Sequence, residues 1–234
     1  MSSGRGQLIL IEGLDRTGKS TQASILLDKF SKSKLLKFPD RSTKIGSIIN
    51  EYLTNKSFTL PDQSAHLLFS ANRWELNNEI IDLLNDGYFI VLDRYIYSGI
   101  AYSLAKFEYA KLNKEGNITS TVDKQIGDVN WLIGPDVGLP KPDLTLFLTI
   151  DLQELANRKG WGDERYELQE FQTIVKKSFL SIFELQKDDD TIEIVDVNNK
   201  DIPEVTELIW NLITKKGIHQ LTNKPIEKVL NLSN

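Results

Sequence analysis

Five short runs of apolar residues recur along the 234-residue chain, and stretches with helical periodicity separate them. The runs cover residues 8–11, 35–38, 89–92, 144–150 and 192–195. A short, continuous apolar run is typical of a strand that is buried on both faces, as in a parallel sheet. Strands that alternate with helices predict an α/β fold, with a five-stranded parallel sheet and helices on both faces. In such folds ligands bind where the strands end.

The segments between the strands predict helices and a few irregular regions. The helical patterns cover residues 21–30, 43–52, 61–84, 96–105, 151–155, 167–185 and 205–215. Residues 106–128 are polar and predict either a solvated surface insertion or a mobile loop beside the active site. A charged segment with two glycines, 158–167, predicts a surface turn or a hinged lid. The polar tail, 216–234, is helical at most in 225–232 and suggests no function.

A phosphate-binding loop follows the first apolar run. Gly13, Gly18, Lys19 and Ser20 match the pattern G-x-x-x-x-G-K-S, with a strand before it and a helix after it. Glycines let successive backbone N–H groups point at one anion, and the helix adds its positive end. In this pattern the lysine reaches the β- and γ-phosphates and the hydroxyl of Ser20 coordinates Mg²⁺. The sequence therefore predicts a nucleoside triphosphate site.

Composition excludes several other kinds of protein. The chain has no cysteine, which removes disulfides, thiolate metal sites and cysteine nucleophiles. Its two histidines are far apart in sequence, which argues against a histidine metal site. A formal net charge of −5 argues against a general nucleic-acid binder. No signal region or membrane-length apolar run is present, so we expect a soluble protein of the cytosol or nucleus that binds neither nucleic acid nor membrane. No linker divides the chain, and one domain spanning 1–234 is expected.

The residues that follow the strands suggest phosphoryl transfer. Such an enzyme must neutralise charge on the moving group, and the chain supplies cations near predicted strand ends or in the predicted lid: Arg16, Lys19, Arg41, Arg94 and Arg165. Asp93 ends the third strand, where it could cap a turn or hold Mg²⁺ through water. Phe69 and Arg73 are four residues apart on one helix face, which fits either core packing or a second nucleotide pocket.

A phosphate acceptor explains the scarcity of general bases. Its second pKa is near 6, so it is already largely dianionic at neutral pH. A hydroxyl acceptor would need a carboxylate base, and Asp93 is the candidate. A GTPase would need an Asn-Lys-x-Asp motif, and Asn199-Lys200-Asp201 has the wrong spacing. A phosphate-loop switch or ATPase remains the alternative from another class.

Six motifs in this order resemble the thymidylate kinase family in its eukaryotic, fungal form. They are Gly-Leu-Asp-Arg-Thr-Gly-Lys-Ser at 13–20, Phe-Pro-Asp-Arg at 38–41, Leu-Phe-Ser-Ala-Asn-Arg-Trp-Glu at 68–75, Asp-Arg-Tyr-Ile-Tyr-Ser-Gly-Ile-Ala-Tyr at 93–102, Pro-Asp-Val-Gly-Leu-Pro-Lys-Pro-Asp at 135–143 and Gly-Asp-Glu-Arg-Tyr-Glu at 162–167. The likeness spans residues 8–199. It implies a phosphate-loop kinase fold that transfers the γ-phosphate of ATP to dTMP, with Mg²⁺ as cofactor and a homodimer as the usual assembly.

The resemblance also implies roles for individual residues. Asp15 resembles the carboxylate that receives the sugar 3′-hydroxyl, and Arg16 resembles a loop arginine that reaches the transferred phosphate. Phe69 resembles the ring that stacks on thymine, and Arg73 the donor to its carbonyl. Tyr102 resembles the residue that packs where a ribose 2′-hydroxyl would lie, which favours deoxyribose.

Three sets of site residues follow. The catalytic set is Arg16, Lys19, Asp93 and Arg94, of which Asp93 joins Ser20 at the metal. The ATP set is Gly13, Arg16, Thr17, Gly18, Lys19, Ser20, Thr21, Arg158 and Arg165. The dTMP set is Asp15, Phe38, Arg41, Phe69, Arg73, Arg94, Ser98, Gly99, Tyr102 and Tyr166.

One segment departs from the family pattern. Compared with the family pattern, this chain has about twenty additional residues, 107–127, between the predicted helix that contains Tyr102 and the region of Trp131. We expect this insertion to tune nucleotide access or substrate range without supplying chemistry. A nucleoside monophosphate kinase of broader specificity is therefore the alternative within the class.

Overall fold

The computed structural model describes residues 4–113, 125–156, 165–166 and 169–231. Its five strands form one sheet in which every pairing is parallel, with the order β2-β3-β1-β4-β5. The strands are β1 (Leu8–Gly13), β2 (Ser33–Lys37), β3 (Phe89–Asp93), β4 (Leu144–Thr149) and β5 (Ile192–Asp196). Each of the five apolar runs overlaps one of these strands, which confirms the predicted five-stranded parallel sheet.

The sequence of β1 explains its central place in the sheet. Its six residues are all buried, so it pairs with β3 on one side and with β4 on the other. The chain order reverses at β1, because β2 and β3 lie to one side of it and β4 and β5 to the other. A crevice therefore opens beyond the carboxyl end of β1, between the ends of β3 and β4.

Helices connect the strands and cover the apolar core. They are α1 (Lys19–Leu27), α2 (Lys44–Thr54), α3 (Asp62–Glu75), α4 (Asn77–Asn85), α5 (Ile96–Asn113), α6 (Val129–Ile133), α7 (Leu152–Ala156), α8 (Gln169–Glu184) and α9 (Ile202–Lys215), with a 3₁₀ turn at Gly134–Asp136. The predicted helices at 21–30, 43–52 and 205–215 correspond to α1, α2 and α9. A capping box of Asp201 and Glu204 starts α9 three residues earlier than predicted.

The prediction of one helix over 61–84 is wrong. The chain forms α3 and α4 instead, and Leu76 between them has φ −100° and ψ 1°. The N–H of Leu76 donates to the carbonyl of Arg73 at 3.2 Å, as in a 3₁₀ turn. Asn77 and Asn78 follow directly, and asparagine favours helix ends over helix interiors.

Two further boundaries differ from the sequence-based expectation. Helix α5 continues to Asn113, so the first part of the predicted insertion is helical; Tyr109 packs edge-on to Phe171 of α8 at 5.8 Å. Ile126, at the other end, is buried. The tail is not helical over its described residues: the Thr222 backbone pairs with Arg5, and the N–H of Val229 donates to the carbonyl of Leu139 at 2.8 Å.

Candidate active site

The loop between β1 and α1 has the backbone geometry that a phosphate cradle needs. Gly18, directly before α1, has φ +95°, which is strained for residues with a side chain. Gly13 has φ +152°, and a Cβ there would lie 2.7 Å from the Leu148 carbonyl oxygen. The Thr17 hydroxyl donates to the Leu14 carbonyl at 3.0 Å and fixes the loop. The two glycines of the motif are therefore required by backbone conformation and close packing.

Lys19 bends back over this loop. Its Nζ donates to the Leu14 carbonyl at 2.6 Å, and its side chain is buried. Burial and the nearby charge of Arg94 lower the pKa of Lys19 to about 7, against the opposing charge of Asp15. The charged form of this buried lysine is stabilised further by an incoming polyphosphate.

Ser20 and Asp93 form a pair of oxygen donors beside the loop. The Ser20 hydroxyl donates to Asp93 Oδ2 at 2.5 Å, and the Lys37 ammonium lies 3.8 Å from the same oxygen. Asp93 Oδ1 is buried and has no hydrogen-bond partner among the described residues. The part of the chain that the structure describes contains no cluster of three or more His, Asp or Glu suited to a metal. Two hard oxygen donors fit Mg²⁺, which takes its other ligands from water and phosphate.

Arg94 connects the phosphate loop with the acceptor side of the site. Its Nη1 donates to the Gly13 carbonyl at 3.2 Å and to the Ser98 hydroxyl at 3.0 Å, and its Nη2 pairs with Asp15. Its backbone has φ +70°, an uncommon conformation for a residue with a side chain. Burial opposes its charge, but the surrounding Tyr102, Asp15 and Glu12 raise the pKa of Arg94 above its usual value.

Asp15 lies at the centre of a small hydrogen-bond network. Its Oδ2 accepts from the Tyr102 hydroxyl at 3.0 Å and from Gln172 Nε2 at 3.1 Å. Burial raises the pKa of Asp15, but the charges of Arg94 and Lys19 lower it to about 2. Asp15 is therefore ionised at neutral pH and can accept a further hydrogen bond.

Two polar residues of this network could not be assigned from sequence. Glu12 is fully buried in β1 and accepts from the N–H groups of Tyr95 and Ser98 and from the Ser98 hydroxyl, at 3.0, 2.9 and 2.5 Å. Burial raises the pKa of Glu12. Gln172 also donates to the Tyr166 carbonyl at 2.9 Å. The one sequence signal for a role of Glu12 was its position directly after the apolar run of β1.

A cavity of about 860 Å³ opens on the acceptor side of Asp15 and Arg94. This volume is within the range of small-molecule sites. Every predicted dTMP contact lines it: Asp15, Phe38, Arg41, Phe69, Arg73, Arg94, Ser98, Gly99, Tyr102 and Tyr166. Arg41 is exposed at its edge, where Nη1 donates to Asn50 Oδ1 at 3.1 Å. The lining therefore combines cations, among them Arg41, Arg73 and Arg94, with aromatic rings, among them Phe69 and Tyr102.

Arg73 is held in place by a buried ion pair that the sequence did not reveal. Its Nη2 and Nε donate to the two oxygens of Asp136 at 2.7 and 3.0 Å. The Ser70 hydroxyl also donates to Asp136, at 2.6 Å. A Cβ at Gly99 would lie 2.9 Å from Nη2 of Arg73, so the glycine makes room for the guanidinium.

The structure places Arg165 away from the phosphate loop. Its guanidinium lies over the Tyr52 ring and donates to the carbonyls of Tyr52 and Phe58 at 2.9 and 2.8 Å, near the end of α2. Tyr166 does line the cavity, and its hydroxyl lies 2.8 Å from that of Tyr52. The predicted ATP contact Arg158 and most of the predicted lid, 158–167, lie outside the described residues.

The parallel sheet and the phosphate loop define a phosphate-loop kinase fold, with a cavity of small-molecule size beside the loop. The thymidylate kinase family model matches residues 11–209. The chain is 42% identical to a thymidylate kinase of Schizosaccharomyces pombe, over 92% of this chain and 95% of the relative. It is 39% identical to that of Homo sapiens, over 97% and 98%. A solved thymidylate kinase of Candida albicans is 62% identical, with a TM-score of 0.90 over 98% of this chain and 100% of that one.

The chain therefore belongs to the thymidylate kinase family. The family uses ATP as phosphate donor. The relatives that match nearly the whole chain are thymidylate kinases, which supports phosphorylation of dTMP to dTDP as its activity. Across the described ranges, no helix is long and apolar enough to cross a membrane.

Proposed function

We propose that the chain binds ATP at the loop formed by residues 13–21 and dTMP in the 860 Å³ cavity, and that Arg94 acts between the two. The observation that supports this most directly is the double contact of Arg94. Its guanidinium donates to the Gly13 carbonyl of the phosphate loop and pairs with Asp15 on the acceptor side. One cation thus neutralises charge where the two nucleotides meet.

The proposed orientation of dTMP rests on the side chains that line the cavity. We place the dianionic phosphate beside Arg41 and Arg94, which can neutralise its charge, and the base beside Phe69 and Arg73. The sugar then lies beside Asp15, whose ionised carboxylate accepts from the 3′-hydroxyl. Tyr102, which donates to Asp15 at 3.0 Å, fills the space beside the sugar.

Transfer needs positioning and charge neutralisation more than proton transfer. The acceptor phosphate is already largely dianionic at neutral pH, so no side chain has to remove a proton from it. Lys19 and Arg94 lie where they oppose the negative charge of the moving group, and we assign Arg16 to the same task from its place in the loop. Phosphoryl transfer by positioning and electrostatics is the general pattern for such sites.

We assign Ser20 and Asp93 to Mg²⁺. The Oδ1 atom of Asp93, which has no hydrogen-bond partner in the described part of the chain, and the Ser20 hydroxyl support this choice. When bound, the ion would neutralise part of the charge on the phosphate groups.

Several expectations about the whole protein remain proposals. These are a single kinase domain over 1–234, a lid at 158–167, a homodimer and a location in the cytosol or nucleus. Arg158 and Arg165 remain candidates for ATP contacts within that lid. For Arg165 this requires release of the Tyr52 and Phe58 carbonyls to which it donates here.

The test is a coupled ADP-release assay of the purified protein with Mg-ATP and a panel of nucleoside monophosphates. We expect dTMP to give the highest kcat/KM. The similar Candida albicans enzyme is described as having broad substrate specificity. Comparable kcat/KM for several non-thymine monophosphates would assign the same breadth to this chain, and no ADP release with dTMP would refute the proposal.

A further inference from the structure

His66 lies beside the base end of the cavity and contacts α5. Its Nε2 lies 2.7 Å from the Leu132 carbonyl oxygen, and its Nδ1 lies 2.8 Å from the Ser103 hydroxyl. The imidazole is buried, and both His66 and Ser103 line the cavity. Neither residue has a role in the site as described so far.

The partners of the ring determine the direction of both hydrogen bonds. A carbonyl oxygen can only accept, so Nε2 of His66 must bear the proton. Burial and the charge of Arg73 lower the pKa of His66 to about 4, against the Leu132 carbonyl and the charge of Asp136, so the ring is neutral at physiological pH. Nδ1 is then an acceptor, and the Ser103 hydroxyl donates its single proton to it. The Ser103 oxygen therefore offers only lone pairs to the cavity.

This acceptor lies one helical turn from a donor. Gly99 and Ser103 are four residues apart on α5 and share a face. The Arg73 guanidinium lies about 3 Å from the Cβ position of Gly99, with Nη1 at 3.0 Å and not used by Asp136. The cavity wall thus presents an N–H donor and, a turn further along, an oxygen acceptor.

A base with a 4-carbonyl and a protonated N3 has the complementary pattern. Its C4 oxygen accepts beside Arg73, and its N3–H donates beside Ser103. A 4-aminopyrimidine has a donor at C4 and an acceptor at N3. Its amino group would face the Arg73 donor and its N3 would face the Ser103 acceptor, which is costly in a buried site.

We propose that Ser103, oriented by His66, is a specificity-determining residue that accepts a hydrogen bond from N3–H of the pyrimidine. This inference rests on the proposed placement of dTMP in the cavity. It assigns His66 as a positioning residue, because the ring acts through the Ser103 hydroxyl.

The test compares dTMP with its N3-methyl derivative in the wild-type protein and in Ser103→Ala. One hydrogen bond of about 1–2 kcal/mol predicts that the variant loses about 5- to 30-fold in kcat/KM for dTMP. Its kcat/KM for the N3-methyl compound should be unchanged or higher, so the preference for dTMP shrinks by at least about that factor. The matched control is Ser64→Ala, an exposed position on α3, which should change neither value.

A second variant tests the orientation by His66. In His66→Phe the Ser103 hydroxyl has lost its acceptor and can donate into the cavity, so discrimination between dTMP and dCMP should fall by about tenfold. In a Ser103→Ala background, His66→Phe should leave the ratio of kcat/KM for dTMP and dCMP unaltered. If His66 had a merely structural role, its replacement would change this ratio in both backgrounds.

The outcomes separate this inference from the proposed function. Wild-type protein that does not phosphorylate dTMP would overturn the proposed function. If the wild-type protein is active and Ser103→Ala keeps the full preference for dTMP over its N3-methyl derivative, only the role of Ser103 is overturned. Equal losses for both substrates in Ser103→Ala would also overturn it.

Discussion

The buried ion pair between Arg73 and Asp136 makes a prediction for the stability of the fold and, if Arg73 contacts the base as proposed, for dTMP binding. The side chains are 2% and 0% exposed, and two hydrogen bonds of 2.7 and 3.0 Å join them. Asp136→Asn keeps the shape of the side chain but removes its charge. It also turns an amide N–H toward the guanidinium, so the charge of Arg73 stays buried without a counter-ion.

The expected loss is large for a single substitution. Removal of one partner from a buried pair costs about 3–5 kcal/mol. For a protein of 150–250 residues, each kcal/mol shifts the melting temperature by about 2–4 °C. Asp136→Asn should therefore lower the melting temperature by about 6–20 °C. The KM for dTMP should also rise, because Asp136 no longer orients Arg73.

The assay is thermal unfolding followed by calorimetry, with dTMP kinetics at a temperature where the variant is folded. The control is Glu184→Gln, which removes an exposed pair with Lys187 at 3.7 Å and should cost less than about 1 kcal/mol. The double variant Arg73→Met/Asp136→Leu should recover most of the stability but not dTMP binding. A melting temperature lowered by less than 3 °C in Asp136→Asn, below about 1.5 kcal/mol, would refute the reasoning.

Three further perturbations test the remaining assignments. Asp15→Asn removes a charge-assisted hydrogen bond of about 1.5–3 kcal/mol and should lower kcat/KM for dTMP by about 10- to 100-fold. Discrimination against a 3′-deoxy acceptor should also weaken. Unchanged discrimination would show that the sugar lies elsewhere. Because the folded pKa of Asp15 is lowered from 3.8 to about 2, the stability that its charge contributes is present above pH 4 and should disappear, relative to Asp15→Asn, as the pH falls through 2 in denaturant titrations. Arg94→Ala should lower the transfer rate by about 10³ or more in single-turnover measurements, and a loss below tenfold would remove Arg94 from the mechanism. Replacement of residues 114–124 by a short glycine–serine linker should change the relative kcat/KM of non-thymine monophosphates while dTMP turnover persists; identical kinetics for all substrates would disprove a role of the insertion in substrate range.

The sequence alone determined the features that depend on neighbours along the chain. The five apolar runs predicted five parallel strands because a strand buried on both faces needs consecutive apolar residues. The phosphate loop was equally clear, since its glycines, lysine and serine act within eight residues of backbone. Local patterns also located the polar residues that follow β1, β2 and β3, and parallel strands bring these to one edge.

Tertiary structure decided which side chains meet across long stretches of chain. Asp136 reaches Arg73 over 63 positions, Gln172 reaches Asp15 over 157, and Glu12 accepts from Ser98 over 86. A spacing pattern in sequence contains no information about such pairs, because burial and charge neutralisation select them only when the elements pack. The direction in which Ser103 donates has the same origin: it depends on the Leu132 carbonyl, which meets His66 only in the folded protein.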